Sequence, residues 1–190
     1  MALRDDLWVT PEEYLEQERT AEAKSEYLDG RIFAMAGNTP DHVQIAVNLT
    51  LALGNRLKGT KCRVVNSEQR IRTPSRKTYT YPDLGVVCGD RKYEGPQPAT
   101  LTNPTAIIEI LSPATESFDR GDKFWRYAEI ESLREYVLVS QDQPTIELRQ
   151  FANGLWVFHA FRGIETDLKL SSIDVEIPMA EIYDGVVFPT

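Results

Sequence analysis

The sequence predicts an α/β protein with a central mixed β-sheet flanked by helices. Two observations support this: a long helical pattern begins near His42, and the two most apolar extended runs, Leu84–Val87 and Ala106–Leu111, follow it. Helical and extended segments continue to alternate along the rest of the chain. This order is typical of helices packed on a sheet.

The length and composition are those of one ordinary globular domain. A single hydrophobic core usually serves a chain of 190 residues, so we expect one domain, 1–190. Hydrophobic residues make up 42% and charged residues 26%, which excludes collagen-like, coiled-coil and wholly disordered chains. No apolar run approaches the roughly 18 residues of a membrane span, and residues 1–6 lack the apolar stretch of a signal peptide. We expect a cytoplasmic protein with no membrane partner.

The chain is acidic, with 21 basic and 29 acidic residues and a formal net charge of −8. Proteins that bind nucleic acid through many phosphates usually carry a basic surplus, so this balance argues against binding over a large surface. It is compatible with a metal-dependent site, where carboxylates are the ligands and the ion reverses their local charge.

The two cysteines, Cys62 and Cys88, lie far apart in separate apolar segments. Their spacing matches neither a metal-binding pair nor a disulfide framework. The sequence therefore predicts two buried free thiols.

The first elements have clear local signals. Thr10–Glu13 combines a threonine cap, a proline in the first turn and a glutamate three residues after the cap, which predicts a helix to about Glu18. Asp29-Gly30 tolerates positive φ, so 25–28 and 31–35 should form a hairpin. The next helix should run four to five turns, with an apolar side composed of Val43, Ala46, Val47, Thr50, Leu51, Gly54 and Leu57.

Hydrophobic patterning predicts the remaining elements. Strands are expected at 62–66, 70–73, 83–88, 105–111, 135–139, 145–151, 155–161 and 168–170. Helices are expected at 118–131 and 178–182, and a long polar loop at 89–103.

Glu109 stands inside an apolar run, where a carboxylate requires a partner. An ionised acid left dry and unpaired costs several kcal/mol, so such residues are paired, metal-bound or neutralised. The alternative is a strand-end acid that faces solvent or pairs with an arginine. Asp83, after Pro82, begins the neighbouring apolar run and alone is typical of a turn. Two acids at adjacent strand ends, however, offer the hard oxygen ligands that Mg²⁺ or Mn²⁺ prefers.

Asp119, Lys123 and Tyr127 recur every four positions, so they share one face of the predicted helix 118–131. The simplest interpretation is a solvent-exposed acid–base pair worth a few tenths of a kcal/mol. Because this helix directly follows the Glu109 strand, its first turns could instead return Lys123 to the two acids.

Three further polar residues have weaker signals. Glu26 occupies a strand-like position before the hairpin turn and is equally typical of a solvent-facing acid. His42 is more typical of a capping or surface residue than of a ligand, since no second histidine provides metal spacing. Gln69 could contact a nucleic-acid backbone, although a turn explains it equally well.

Three segments together resemble the PD-(D/E)xK nuclease superfamily: Pro82-Asp83, the string Glu-Ile-Leu-Ser-Pro-Ala-Thr at 109–115, and Asp-x-x-x-Lys-x-x-x-Tyr at 119–127. More narrowly, most of the chain is similar to a bacterial family of restriction-endonuclease-like proteins of unknown function. The resemblance implies a restriction-endonuclease-like sheet, a divalent metal between the two acids and phosphodiester hydrolysis.

One position departs from the superfamily pattern. The superfamily lysine normally lies two residues after the second acid, and that position here is Leu111. The resemblance to the narrower family implies that the lysine has moved to the next helix, which points to Lys123. The departure also leaves room for a site that binds metal without cutting.

The favoured function is a metal-dependent endonuclease. Mg²⁺ or Mn²⁺ held by Asp83, Glu109 and the Ile110 carbonyl would lower the pKa of a bound water. Lys123 would stabilise charge on the phosphate. Glu26 is placed among the catalytic residues, since it could orient the lysine or help hold a second ion. The hydroxyl of Tyr127 is assigned a positioning role.

Two alternatives stay open. One is a catalytically weak or silent nucleic-acid-binding or assembly domain that retains the fold, which Leu111 and the net charge favour. The other is a metal-free hydrolase using Glu26 and Glu109 as acid and base. For the favoured function the partner is nucleic acid, with DNA the first candidate, and the chain would act alone or as a homodimer.

Overall fold

The structure is a computed structural model of the chain and describes residues 2–3, 8–35, 37–95 and 98–188. Most of the N-terminal segment 1–6, which carries the expectation about a signal peptide, lies outside these ranges. Within them, no helix has the length and apolar character needed to cross a lipid bilayer.

The described helices are α1 Pro11–Thr20, α2 Pro40–Arg56, α3 Glu116–Arg120, α4 Asp122–Tyr127 and α5 Met179–Ile182. The described strands are β1 Ala2–Leu3, β2 Ser25–Leu28, β3 Arg31–Ala34, β4 Cys62–Asn66, β5 Ile71–Arg72, β6 Thr78–Thr80, β7 Leu84–Cys88, β8 Tyr93–Glu94, β9 Thr100–Leu101, β10 Ala106–Leu111, β11 Glu135–Ser140, β12 Thr145–Ala152, β13 Leu155–Arg162, β14 Asp167–Leu170 and β15 Val175–Pro178.

The central sheet has the strand order β13–β12–β11–β10–β7–β4, with β10 and β11 parallel and the other neighbours antiparallel. Successive residues of a strand point to opposite faces. Ile108 and Ile110 therefore pack with α2 on one face, whereas Ile107 and Leu111 pack with α4 on the other. Glu109 lies on the α4 side by the same alternation. The predicted mixed α/β sheet is confirmed.

A second sheet with the order β1–β3–β2–β6–β5–β9–β8 stands beside the central one, and β14 pairs with β15. The predicted first helix is confirmed, since the side chain of Thr10 and that of Glu13 cap each other's backbone N–H groups. The hairpin turn is confirmed as well. Gly30 has φ +87° and a Cβ there would meet the Trp8 ring at 2.5 Å, so glycine is required by both conformation and space.

The long helix α2 is confirmed, but its buried side is not the one that the sequence predicted. The buried apolar residues are Ile45, Leu49, Ala52 and Leu53, which pack on the central sheet. Val43, Val47 and Leu51 of the predicted side are exposed. Because α2 is apolar on both sides, helical spacing could not decide which side faces the sheet.

Two other predictions are corrected. The predicted helix 118–131 is broken at Gly121 into α3 and α4, and Trp125 is exposed while Phe124 is buried. The predicted loop 89–103 contains β8 and β9, which extend the second sheet. Arg72 pairs with Glu94 of this segment at 2.6 Å, so the segment is tied down by charge as well as by strand pairing.

Cys62 and Cys88 form a disulfide between β4 and β7, so the prediction of free thiols is wrong. The two residues are directly paired across neighbouring antiparallel strands, although they are distant in the sequence. Linear spacing could not show this cross-strand register.

The disulfide leads to a stability prediction. We expect the double variant Cys62→Ala/Cys88→Ala to lose about 2–4 kcal/mol of unfolding free energy in non-reducing buffer, since the cross-link restricts the unfolded chain. Denaturant titration of both proteins with and without reductant measures this. The difference in unfolding free energy between the two proteins should disappear in reductant. A difference that persists there would assign the effect to side-chain packing instead.

Candidate active site

Asp83 and Glu109 meet where β7 and β10 end side by side. Leu84 is paired with Ile108, and continuing this antiparallel register places Asp83 opposite Glu109. The Asp83 carboxylate is fixed from two directions. Its Oδ2 accepts a 2.7 Å hydrogen bond from the Ile110 backbone N–H, and its Oδ1 lies 2.9 Å from His42 Nε2 at the start of α2. The predicted pair of acids at neighbouring strand ends is therefore present.

Lys123 reaches the same place from α4. Its Nζ lies 3.0 Å from Glu109 Oε1, 3.4 Å from Glu26 Oε1 and 3.4 Å from Asp119 Oδ1. Lys123 is 6% exposed and Glu109 4% exposed. The alternative of a solvent-exposed lysine pair is thus wrong, because Asp119, Lys123 and Tyr127 are all buried.

Tyr127 and Glu26 complete the surroundings of the lysine. The Tyr127 hydroxyl donates to Glu109 Oε1 at 3.1 Å and lies 2.6 Å from the Thr80 hydroxyl of β6. The Tyr81 backbone N–H donates to Glu26 Oε1 at 3.3 Å. The second sheet therefore contributes Glu26 and holds it against an ammonium group carried by α4.

The buried charges shift each other's protonation. Burial raises the pKa of Glu109 well above its usual value, Lys123 offsets part of this, and the charges of Asp119, Asp83 and Glu26 raise it further. For Lys123, burial alone lowers the pKa, but Glu109 and the other acidic groups around it outweigh burial and raise the pKa well above its usual value. The surrounding acids thus favour the charged form of Lys123, and burial together with these acids makes Glu109 bind a proton more readily than an exposed glutamate does.

These side chains line a cavity of about 80 Å³, which also includes Asn38, Ser112 and Thr115. Four carboxylates, those of Glu26, Asp83, Glu109 and Asp119, line the cavity, and all but Asp83 lie within 3.4 Å of the Lys123 ammonium group. His42 Nδ1 is buried without a hydrogen-bond partner in the described part of the chain, and Asp119 Oδ1 makes no hydrogen bond there apart from its 3.4 Å ion pair with Lys123. The site is therefore rich in negative charge and incompletely satisfied.

The donor set fits a hard divalent cation. Among the described residues, no three histidine, cysteine, aspartate or glutamate side chains are arranged as a complete metal site. Mg²⁺ does not require one, because it keeps several waters and is commonly bound through one or two carboxylates plus substrate phosphates. Asp83 and Glu109 provide such a pair.

Comparison with known proteins shows to which family the chain belongs. Residues 11–180 match the family model Uma2, whose description is "Putative restriction endonuclease". The chain belongs to the Uma2 family. Two uncharacterised Synechocystis proteins are similar to this Uma2 chain along most of their length. The protein slr1290 is 36% identical over 95% of this chain and 94% of its own length. The protein sll1609 is 28% identical over 88% of this chain and 95% of its own length.

The fold has a counterpart among solved structures. The crystal structure of a putative nuclease belonging to DUF820 from Anabaena variabilis matches with a TM-score of 0.77 over 94% of this chain and 99% of the other, at 16% identity. The restriction-endonuclease-like fold predicted from the sequence is therefore confirmed. At this identity the match concerns the fold alone.

Gln69 lies apart from the site. Its amide Nε2 donates to the backbone carbonyls of Arg70 and Ala99, at 3.0 and 2.9 Å, and it does not line the acidic cavity. These bonds hold the chain before β5 against the segment before β9. A contact between Gln69 and nucleic acid stays a prediction.

Sequence reasoning missed a buried support behind Glu26. The carboxylate of Glu18 accepts hydrogen bonds from the Ser25 backbone and hydroxyl, at 3.0 and 2.6 Å, and from the Tyr81 hydroxyl at 3.0 Å. Burial raises the pKa of Tyr81 to about 12, so this hydroxyl keeps its proton to donate. Glu18 thereby fixes the residues next to Glu26 on β2 and at the end of β6. Glu18 lies in a helix of mostly polar residues, so its sequence context does not indicate that its carboxylate is buried.

Proposed function

We propose that this Uma2 chain is a metal-dependent endonuclease that hydrolyses phosphodiester bonds at the Asp83–Glu109 cavity. One observation carries the proposal: two carboxylates from neighbouring strand ends share a small cavity with a buried lysine, whose Nζ is 3.0 Å from Glu109. The family description and the nuclease fold support the same reaction class. Nucleic acid, with DNA the first candidate, is the proposed substrate.

Asp83 and Glu109 would hold Mg²⁺ or Mn²⁺, with the Ile110 carbonyl as a further oxygen ligand. When bound, the ion supplies Lewis acidity toward a phosphoryl oxygen and a bound water of lowered pKa. Asp83 is already oriented for this by His42 and by the Ile110 N–H. Holding the ligands in place before substrate arrives avoids reorganisation during the reaction.

Lys123 would stabilise negative charge that develops on the phosphate. A fixed cation in a site shielded from water acts more strongly than one in solvent. Glu26 and Asp119 are positioning residues that hold the ammonium group, each at 3.4 Å. Leu111 occupies the position of the superfamily lysine on the same strand face as Glu109, and the proximity of Lys123 to Glu109 supports its replacement by a residue from α4.

Metal binding is tested most directly at Asp83. We expect Asp83→Asn to weaken Mn²⁺ binding by at least about 10-fold, because one of two charged ligands is lost. Titration calorimetry of both proteins measures it. Asp174→Asn is the matched control, since it removes the same charge from an exposed turn between β14 and β15, at φ +53° where asparagine is tolerated. Equal affinity in the wild type and Asp83→Asn would remove the metal site.

A catalytically silent nucleic-acid-binding or assembly domain is the second candidate. It is favoured by Leu111 at the position of the superfamily lysine and by the net charge of −8. Incubation of the protein with plasmid, linear, single-stranded and branched nucleic acids, in Mg²⁺, Mn²⁺ or chelator, separates the two. Metal-dependent cleavage supports the endonuclease, whereas binding without cleavage in every buffer supports the silent domain.

The metal-free hydrolase is the weakest candidate. It requires Glu26 and Glu109 to act as separate acid and base. Both carboxylates instead contact the same ammonium group of Lys123. Cleavage that persists in chelator would nevertheless restore it.

A further inference from the structure

A groove of about 400 Å³ runs along α2 beside the acidic cavity. One wall carries Val43, Val47 and Leu51, one turn apart and 47–60% exposed, and the other carries Asn66 and Ser67 at the end of β4. The opposite side of α2 already packs on the sheet. The aliphatic row formed by Val43, Val47 and Leu51 therefore takes no part in that packing, and no element in the described part of the chain covers it.

The groove and the acidic cavity are continuous. Asn38, His42 and Asp83 line both. The cavity of about 80 Å³ has room for a few phosphoryl oxygens or waters, given that a water occupies roughly 30 Å³ of the liquid. A nucleotide whose phosphate lies at Asp83 must place its sugar and base elsewhere, and the groove is the adjoining space.

A cation stands near the junction. Lys24 Nζ donates to the Ser67 carbonyl at 2.8 Å and lies 5.4 Å from the centre of the Tyr81 ring. Ser67 lines the groove and Tyr81 lines the cavity. Lys24 also pairs with the exposed Glu68, but an exposed pair of this kind is weak and leaves the ammonium group able to meet a phosphate.

We propose that the groove holds the unpaired base and the sugar of the nucleotide next to the cleaved phosphodiester, with Lys24 facing a neighbouring phosphate. This inference rests on the proposed function. The aliphatic row suits the apolar face of a base, and Asn66 and Ser67 suit its polar edge. A base inside a duplex is stacked and paired and cannot enter such a groove without being extruded. The substrate class is therefore single-stranded or locally unpaired nucleic acid.

The test compares kcat/KM in Mn²⁺ on a single strand, on its duplex, and on a single strand with one abasic nucleotide at the mapped cut. Val47→Glu disturbs the groove on an exposed position, and Leu155→Glu is the control on the exposed edge strand β13. We expect the wild type and the control to prefer the single strand and to lose about 10-fold on the abasic strand, the scale of one lost base contact. Val47→Glu should already show that loss on the intact strand, and the abasic site should add nothing further, because both changes remove the same contact.

Calorimetry should show unchanged Mn²⁺ affinity in Val47→Glu, which separates the groove from the metal site. If Val47→Glu cleaves the single strand as fast as the wild type, or if the two losses multiply, the groove proposal falls while the endonuclease stands. A wild-type dimer that Val47→Glu converts to a monomer in light scattering would assign the groove to a second copy of the chain. If the wild type cleaves no nucleic acid in any metal, the proposed function falls and the groove proposal falls with it.

Discussion

Glu109→Gln is expected to lower metal-dependent cleavage by about 10³-fold or more, since a charged ligand of the proposed ion is lost together with several kcal/mol of transition-state stabilisation. Glutamine has nearly the same shape and still accepts a hydrogen bond from Tyr127, so the fold should be retained. Cleavage rates at saturating Mn²⁺, with circular dichroism as the folding control, measure this. A variant that cuts at the wild-type rate would exclude Glu109 from the chemistry.

The same variant has an opposite effect on stability in chelator. Because the pKa of Glu109 is raised in the folded chain, that chain binds this proton more tightly than the unfolded chain, where glutamate has its ordinary pKa of 4.5. The wild type therefore loses unfolding free energy as pH rises from about 4.5 toward the raised pKa. Glu109→Gln lacks this decrease, so at pH 8 its melting temperature should equal or exceed that of the wild type. A large loss in chelator would mark Glu109 as a structural partner of Lys123.

Metal binding by the wild type should follow the same linkage. A cation at Glu109 competes with the proton that the raised pKa favours, so Mn²⁺ affinity should rise with pH and binding should release protons. Calorimetry in buffers of different ionisation enthalpy detects these protons.

The sheet could be predicted from sequence because its strands have strong local signals. The apolar run around Glu109 predicted β10, and the acid inside that run indicated the candidate site. The short strand β6 was missed, since Thr78–Thr80 is only three residues long and directly follows charged residues. It lies between β5, which is near it in sequence, and β2, which is distant. Pairing of this kind depends on tertiary context, which local propensity does not contain.

For α2 and α4, the sequence did not show which side of the helix is buried. Apolar residues occur on both sides of α2. On α4, hydrophobicity points the wrong way, because the apolar Trp125 is exposed and the charged Lys123 is buried. A lysine is buried only where opposite charge compensates it. Here that charge comes from Glu26 on the second sheet and Glu109 on the central one, and neither is close to Lys123 in the sequence.

Lys123→Met is therefore expected to lower stability and activity more than the loss of a solvent-exposed ion pair would. We expect a loss of about 3–5 kcal/mol of unfolding free energy at pH 7, because the buried carboxylates around it are left uncompensated. We also expect cleavage at saturating Mn²⁺ to fall by about 10² or more, the scale for removing one preorganised electrostatic group. Methionine keeps most of the side-chain volume, so both losses report the charge.

Denaturant titration and cleavage assays on the folded variant measure the two effects separately. The stability loss should shrink at pH 5, where the carboxylates bind protons more readily, and also in Mn²⁺, which supplies a replacement cation. Lys169→Met is the matched control, because Lys169 pairs with Glu176 at 3.3 Å with both side chains more than half exposed. It should cost less than about 1 kcal/mol and leave cleavage unchanged. A Lys123→Met protein as stable and as active as this control would show that the ammonium group neither compensates the buried acids nor takes part in the reaction.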